Sequence, residues 1–358
     1  MRIGDIFNSA SAVAYIVNSE PYANVDYLGK QFFPDRKRSG IDLKWIKGSR
    51  GAGVALKQSN FDALATIRQR QGFTLNAEEM PFFRESMLIK EHDMMEILRA
   101  QDSNDPYVRE VLENVYDDVL ELYRGAEIVA ERMRMQLLSG NGGNPGISVA
   151  LADNTIYTYD YDKDNTWIAS NYVVLSGTNT WTAANKSSNA PLDDLQTGIT
   201  ALRAKGYRPA YLIMNSATFA NMKASDQIKS AIVTFGGISL SYITDKIVTD
   251  VIAQDKQLTV LLYDKTYVDV DGSTKKFFPD GYATIVSEGN CGNTYYGVTP
   301  EERTLLGDPK VDVSVIDGNV AIAVQTTYGP PVNVKTTASE IVLPSFEGMD
   351  GVYVIKTA

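Results

Sequence analysis

Residues 105–146 read DPYVREVLENVYDDVLELYRGAEIVAERMRMQLLSGNGGNPG. Asp105 before Pro106 is a helix start: a capping carboxylate, then a proline whose missing N–H does no harm in the first turn. Apolar or small residues follow in steps of four and three at Val108, Leu112, Val115, Val119, Leu122, Ala126, Val129 and Met133, with Glu, Asp and Arg on much of the opposite side. The spacing predicts one helix over 106–138, a rod of roughly 45 Å at 1.5 Å per residue. Such a stripe suits a spine with a sheet packed along it, and equally a coiled coil. SGNGGNPG, residues 139–146, stops the helix with four glycines and a proline. That loop is not a phosphate cradle, because it follows a helix and no Gly-Lys-Ser/Thr comes after it.

Upstream lies a basic, strand-patterned arm. Between Arg36 and Phe73 stand nine Lys or Arg against Asp42 and Asp62, a local balance of +7 in a chain whose total is −10, which leaves −17 on the rest. The pattern alternates through IDLKWIKGSRGAGVALK at 41–57, with Gly48, Gly51 and Gly53 marking a turn, and a second strand pair closes near ATIRQRQGFTL. The arm has too little apolar material to order itself, so its order has to come from a neighbour. An arm of opposite sign to its own body suits self-association. It suits nucleic acid poorly, since stacking aromatics are not interleaved with the charges and the acidic remainder repels phosphate.

The first 35 residues hold a short apolar patch, Ile3 to Val17, and then an extended run through Pro21, Gly29 and Pro34. No sustained period appears there, so the segment reads as an arm laid over something else. After Pro81 a helix is expected over 83–100. Residues 147–181 read as irregular β structure and loops. An α/β region follows, with helices expected over 192–205, 217–223 and 225–235 and strands over 210–215, 258–263 and 281–287. The last quarter is rich in strands, with Gly318, Pro330, Pro331 and Pro344 as punctuation.

Catalytic and metal chemistry find little footing. One cysteine, Cys291, excludes an intrachain disulfide, and one histidine, His92, excludes histidine-rich metal centres; both read as packing residues. Asp160, Asp162 and Asp164 have the first three spacings of a calcium loop, but Asn165 replaces its glycine and Asn171 its closing glutamate. A solvated acidic turn is the expectation. Glu78-Glu79 and Asp193-Asp194 sit where solvated charge is ordinary, and the chain has no nucleophile elbow or Rossmann fingerprint. Lysines of the arm, Lys44, Lys47 and Lys57, could in principle form an amide with a neighbour's asparagine, but solvent-facing lysines need no such role. No secretion signal and no run of eighteen apolar residues is seen, so a cytoplasm-like site of synthesis is expected. Neither an enzymatic activity nor a cofactor or metal is expected.

Three stretches carry a family resemblance: YLGKQFFPDRKRSGIDLKWI at 27–46, NTYYGVTPEE at 293–302 and YGPPVNVKTTASEIVLPSF at 328–346. In order and distance they resemble the major capsid proteins of tailed bacteriophages, the lambda-like (major capsid protein E) branch of the HK97-type fold. The resemblance implies an α+β, HK97-like chain with residues 1–35 as N-terminal arm, 36–80 as an extended loop over the adjacent subunit and 81–189 as a peripheral domain with spine helix 106–138. It further implies an axial domain over 190–325 and C-terminal strands, 326–358, that return to the peripheral domain. Two departures from the pattern are Gly329, where an acidic residue is expected before the paired prolines, and the want of a long scaffold-like helix near the N-terminus.

What the resemblance implies functionally is a head-shell protein that self-assembles as hexamers and pentamers into an icosahedral shell around double-stranded DNA, without sequence-specific binding and without a membrane. A separate scaffolding protein, a portal and a decoration protein are the implied partners, with assembly in the bacterial host cytoplasm and residence in the virion. Candidate intersubunit contacts are Arg36, Lys37, Arg38, Lys44, Lys47, Arg50 and Lys57, with Trp45 as an apolar anchor. The competing readings are another structural or scaffold protein built on a coiled-coil helix, and an enzyme handling carbohydrate or nucleotide with paired carboxylates in a closed pocket near 190–290.

Overall fold

The structure, a computed structural model, describes residues 8–18, 25–40, 42–47, 74–92, 95, 106–150, 156–236, 243–269, 271–305, 311–327 and 332–358. The chain opens with α1 (Ser9–Asn18) and a short α2 (Leu28–Phe32), then strands β1 (Asp35–Lys37), β2 (Asp42–Lys47), β3 (Thr74–Glu79) and β4 (Phe82–Ile89), and the long helix α3 (Pro106–Ser139). Next come β5 (Gly146–Ala150), β6 (Ile156–Asp160), α4 (Thr166–Asn171) and β7 (Tyr172–Val174). The α/β stretch runs α5 (Pro191–Ala204), β8 (Pro209–Met214), α6 (Ser216–Ala224), α7 (Asp226–Gly236), α8 (Asp245–Lys256) and β9 (Thr259–Leu262). After it stand β10 (Thr266–Val268), β11 (Thr274–Lys276), β12 (Tyr282–Ser287), β13 (Thr294–Tyr296), β14 (Val311–Ile316), β15 (Val320–Thr327), β16 (Asn333–Pro344) and β17 (Val352–Lys356).

These elements form two compact units. The first comprises Met1–Leu43, Glu78–Arg132 and Asn293–Ser345, and the second Lys44–Ala77, Met133–Gly292 and Phe346–Ala358. The bounds differ from those drawn on the sequence: residues 133–189 leave the peripheral stretch for the second unit, 293–325 leave the α/β stretch for the first, and 346–358 join the second. The physical reason is strand pairing. β17 lies between β12, to which it is antiparallel, and β7, to which it is parallel. A short apolar strand gives no sign in its own composition of which sheet will take it.

In the first unit, β16 is the hub of a six-stranded sheet. Its residues pair with β15 along one edge, while the other edge takes β4 from Val334 to Ile341 and β13 from Val342 to Pro344. β4 occupies ground where a helix over 83–100 was expected. FFRESMLI alternates Phe83, Met87 and Ile89 with Arg84, Ser86 and Leu88, and eight consecutive residues find partners on β16, which overrides local helix propensity. One face of this sheet is covered by helices: Ala12 and Ile16 of α1 and Val119, Leu122 and Tyr123 of α3 pack with Ile322, Val324, Val334 and Ala338. α1 corrects the expectation of a periodless arm. Asn8 caps it by accepting the Ser11 N–H at 2.7 Å, and two buried positions four apart were too few to register as a period. The long helix is therefore a spine against a sheet, which answers the choice left open by its stripe.

The second unit is built on a five-stranded sheet in the order β7-β17-β12-β8-β9, with β8 and β9 parallel and β12 antiparallel to β8 and β17. Its core joins Leu195, Ile199 and Leu202 of α5 to Leu212, Ile285 and Ile355 of the sheet and to Val248 and Ile252 of α8. Gly198 is needed there, because a Cβ would lie 2.7 Å from the Tyr353 ring and 2.8 Å from Ile285. The glycine-rich stop behaves as read: Gly140, Asn141, Gly142 and Gly143 all take positive φ. β2 and β3 form a two-stranded ribbon of their own, while the turn expected at Gly48, Gly51 and Gly53 lies outside the described residues.

Candidate assembly interface

The basic arm leaves the first unit from β1, which is held at three levels. Phe32 and Phe33 are buried just before it, the Pro34 carbonyl accepts the Thr294 N–H at 3.0 Å, and Asp35, Arg36 and Lys37 run parallel to Thr294, Tyr295 and Tyr296. The Arg38 N–H continues the ladder to the Tyr296 carbonyl at 2.8 Å. This segment is thus fixed by backbone, and its side chains are left to the surface.

The candidate contact residues divide accordingly. Arg36 is exposed and makes no ion pair among the described residues. Lys37 places its ammonium 2.7 Å from Glu302, and the Arg38 guanidinium stands 5.9 Å from the Tyr295 ring centroid, within cation–π range. Lys44, Trp45 and Lys47 lie on β2; Arg50 and Lys57 lie outside the described residues.

The arm returns through Met80, which is buried, and Pro81, whose carbonyl accepts the Val342 N–H at 3.3 Å. Arg84 on β4 pairs with Glu301 and lies over the Phe82 ring at 4.6 Å. Glu301 also accepts from Ser339 Oγ at 2.9 Å, and Ser339 is the residue directly opposite Arg84 across β4 and β16. Sequence reasoning missed Arg84, Glu301, Glu302 and Ser339. Their only signal was an adjacent Glu pair after Thr299-Pro300, which is indistinguishable from solvated charge until β13 and β16 are paired.

The remaining candidates have structural employment. Asp162, expected in a solvated turn, is buried and accepts the N–H groups of Trp167 at 3.0 Å and Ile168 at 2.9 Å, while Asp160 accepts the Asp162 N–H. Among the described residues no group of three or more His, Cys, Asp or Glu is placed to hold a metal ion. Cys291 is buried as expected, and burial pushes its thiol up to about 12. His92 is exposed, against the expectation of a packing role. Burial raises the Asp194 carboxyl, opposed by the hydrogen bond it accepts from the Trp181 indole at 2.8 Å. An open depression of about 440 Å³ in the second unit is lined by Arg203, Arg208 and Glu288, a single carboxylate that already faces Arg208 at 3.4 Å. No helix among the described residues is long and apolar enough to cross a membrane.

A family model, phage major capsid protein E, matches residues 9–315. The chain belongs to that family. As a capsid protein it assembles in many copies into the shell of a phage head, and its work is structural. Its α+β fold is HK97-like. Among solved structures, a putative capsid protein of a prophage of E. coli CFT073 is 12% identical, with 98% of this chain and 99% of that one covered and a TM-score of 0.59. A phage-related protein from Bordetella bronchiseptica RB50 is 13% identical over 98% of this chain and 97% of that one, with a TM-score of 0.57. At such identity the two establish the capsid protein's fold. No curated protein matches its sequence.

Proposed function

We propose that residues 36–80 of this capsid protein bind an adjacent copy, and that copies so linked form the hexamers and pentamers of an icosahedral shell around double-stranded DNA. The single observation that supports this reading best is the opposition of charge: residues 36–73 carry +7 and the rest of the chain −17. Each contact is modest, and closed symmetry repeats it until the sum is large. The unit holding α1, β4 and β16 is then the peripheral domain and the unit holding α5 and β12 the axial one. The acidic body disfavours tight binding of packaged DNA, which leaves the cargo free to enter and to leave.

A separate scaffolding protein, a portal and a decoration protein are the further partners in this reading, with assembly in the host cytoplasm and residence in the virion. Maturation by subunit rotation would draw on α3, a helix of 34 residues that can bend along its length. The reading is tested by reversing three charges of the arm together, as Arg36→Glu with Lys44→Glu and Lys47→Glu. Yield of closed shells should fall about tenfold, the equivalent of ~1.4 kcal/mol per contact set. Unchanged yield and particle size would contradict the electrostatic role of the arm.

A further inference from the structure

Residues Glu301–Leu305 form a single π-helical turn that follows β13, and its first two residues are both glutamates. Their carboxylates go to different places. Glu302 meets Lys37, the last residue of β1, at 2.7 Å; Glu301 meets Arg84, the third residue of β4. β1 is where the segment between Arg38 and Pro81 leaves the six-stranded sheet, and β4 is where it comes back. Two neighbouring side chains on one turn therefore hold both roots of the arm.

The turn is itself built to keep still. Thr299 is buried, its Oγ1 accepts the Glu302 N–H at 3.2 Å and its carbonyl accepts the Arg303 N–H at 3.0 Å. Gly297 just before it donates its N–H to the Ile341 carbonyl at 2.8 Å. A Cβ at Gly297 would stand 2.8 Å from Ile341 and 3.1 Å from Met80, so the absent side chain lets the returning root close up against β13. The two ion pairs are unequal. The Glu301 side chain is 7% exposed and also accepts from Ser339, whereas Lys37 and Glu302 are 31% and 22% exposed and readily screened by salt.

We propose that Glu301 and Glu302 are positioning residues for assembly: through Arg84 and Lys37 they set the direction in which the arm projects, with Glu301 as the fixed anchor and Glu302 as the weaker, adjustable one. The proposal rests on the reading that residues 36–80 bind an adjacent copy. It gives Lys37 an intrachain task, which separates it from Arg36 among the candidate contacts.

The test is a charge swap at the weaker anchor in the full chain: Lys37→Glu, Glu302→Lys and the double variant, with Glu302→Gln as the milder change. Three readings are taken: Tm of the unassembled subunit, amide exchange of β2 and β3, and the number and diameter of closed shells by electron microscopy. Each single reversal should leave Tm within a few degrees, speed exchange in β2 and β3 severalfold, and reduce or widen the size distribution of closed shells; the double variant should restore both exchange and shells. A merely structural pair would move Tm and leave shell geometry alone. Unchanged exchange in the single variants overturns the anchor while leaving the arm's role intact. Faster exchange with normal shells overturns the arm's role in assembly, and the proposal with it. Loss of shells that the double variant does not restore overturns the proposal by showing that Lys37 acts on something other than Glu302.

Discussion

All six residues of β12 are buried, and β17 beside it buries four of its five, whereas all three residues of β1 are exposed. The five-stranded sheet is completed by the chain's own helices, and even its polar Thr284 is satisfied, by donating to the Leu138 carbonyl at 2.8 Å. The six-stranded sheet has one face under α1 and α3, but the strands at the roots of the arm carry Arg36, Lys37 and Arg84, and the last two meet Glu302 and Glu301 on the turn after β13. The difference teaches that stability and assembly draw on different parts of the molecule. Apolar burial fixes the second unit, while at the arm's roots the ordering forces are weak ion pairs on a firm backbone, which is suitable for an element that has to be aimed and not merely held.

If that division is right, the largest loss of stability comes from the second unit's core. Trp181→Ala removes a fully buried indole and the donor to Asp194, and should lower the unfolding free energy by about 3–5 kcal/mol in a urea titration, with little change in arm exchange. A loss under about 1 kcal/mol would break the comparison. Arg84→Ala comes next, because it leaves the Glu301 carboxylate buried with Ser339 alone of the partners described here; about 1–3 kcal/mol is expected, together with faster amide exchange in β4. Asp162→Ala removes two capping acceptors at the start of α4 and should cost about 1–2 kcal/mol, with exchange quickened at Trp167 and Ile168.

Alkaline pH sharpens the comparison from another side. Burial raises the Cys291 thiol from 9.0 to about 12, so the unfolded chain gives up its proton first as pH rises. The stability tied to that thiol is complete below pH 9 and is lost as the pH climbs from there through about 12; Cys291→Ala should flatten this part of the pH–stability curve. The smallest effect is at the surface: Lys37→Ala should change the unfolding free energy by less than about 1 kcal/mol, since its pair with Glu302 is partly exposed. A large thermodynamic effect at Lys37 would erase the distinction between aiming and holding.

Much of this is legible in the sequence. The stripe from Val108 to Met133 and the stop at SGNGGNPG gave the long helix to within a residue of Pro106–Ser139, and Pro191, Gly206 and AYLIMN gave α5 and β8 nearly to the residue. These are segments whose period or punctuation is local. β4 failed because its alternation is short and its residues also suit a helix; only eight partners on β16, some 250 positions later, decide the matter. β17 was legible as a strand, but not its place between β12 and β7, which depends on partners far away in the chain. The roots of the arm were half legible. Charge count pointed to residues 36–38, but Glu301 and Glu302 become partners of Lys37 and Arg84 through the pairing of β1 with β13 and of β4 with β16, which no local pattern announces.

The most direct measurement of the central claim is a cryo-electron microscopy map of particles assembled from the purified chain, with scaffold supplied where needed, in which residues 36–80 are traced from their roots. The account expects closed icosahedral shells in which that segment lies across an adjacent copy while Lys37 and Arg84 stay on Glu302 and Glu301 of their own chain. Closed shells in which the segment folds back on its own subunit, or discrete small oligomers in place of shells, would contradict it.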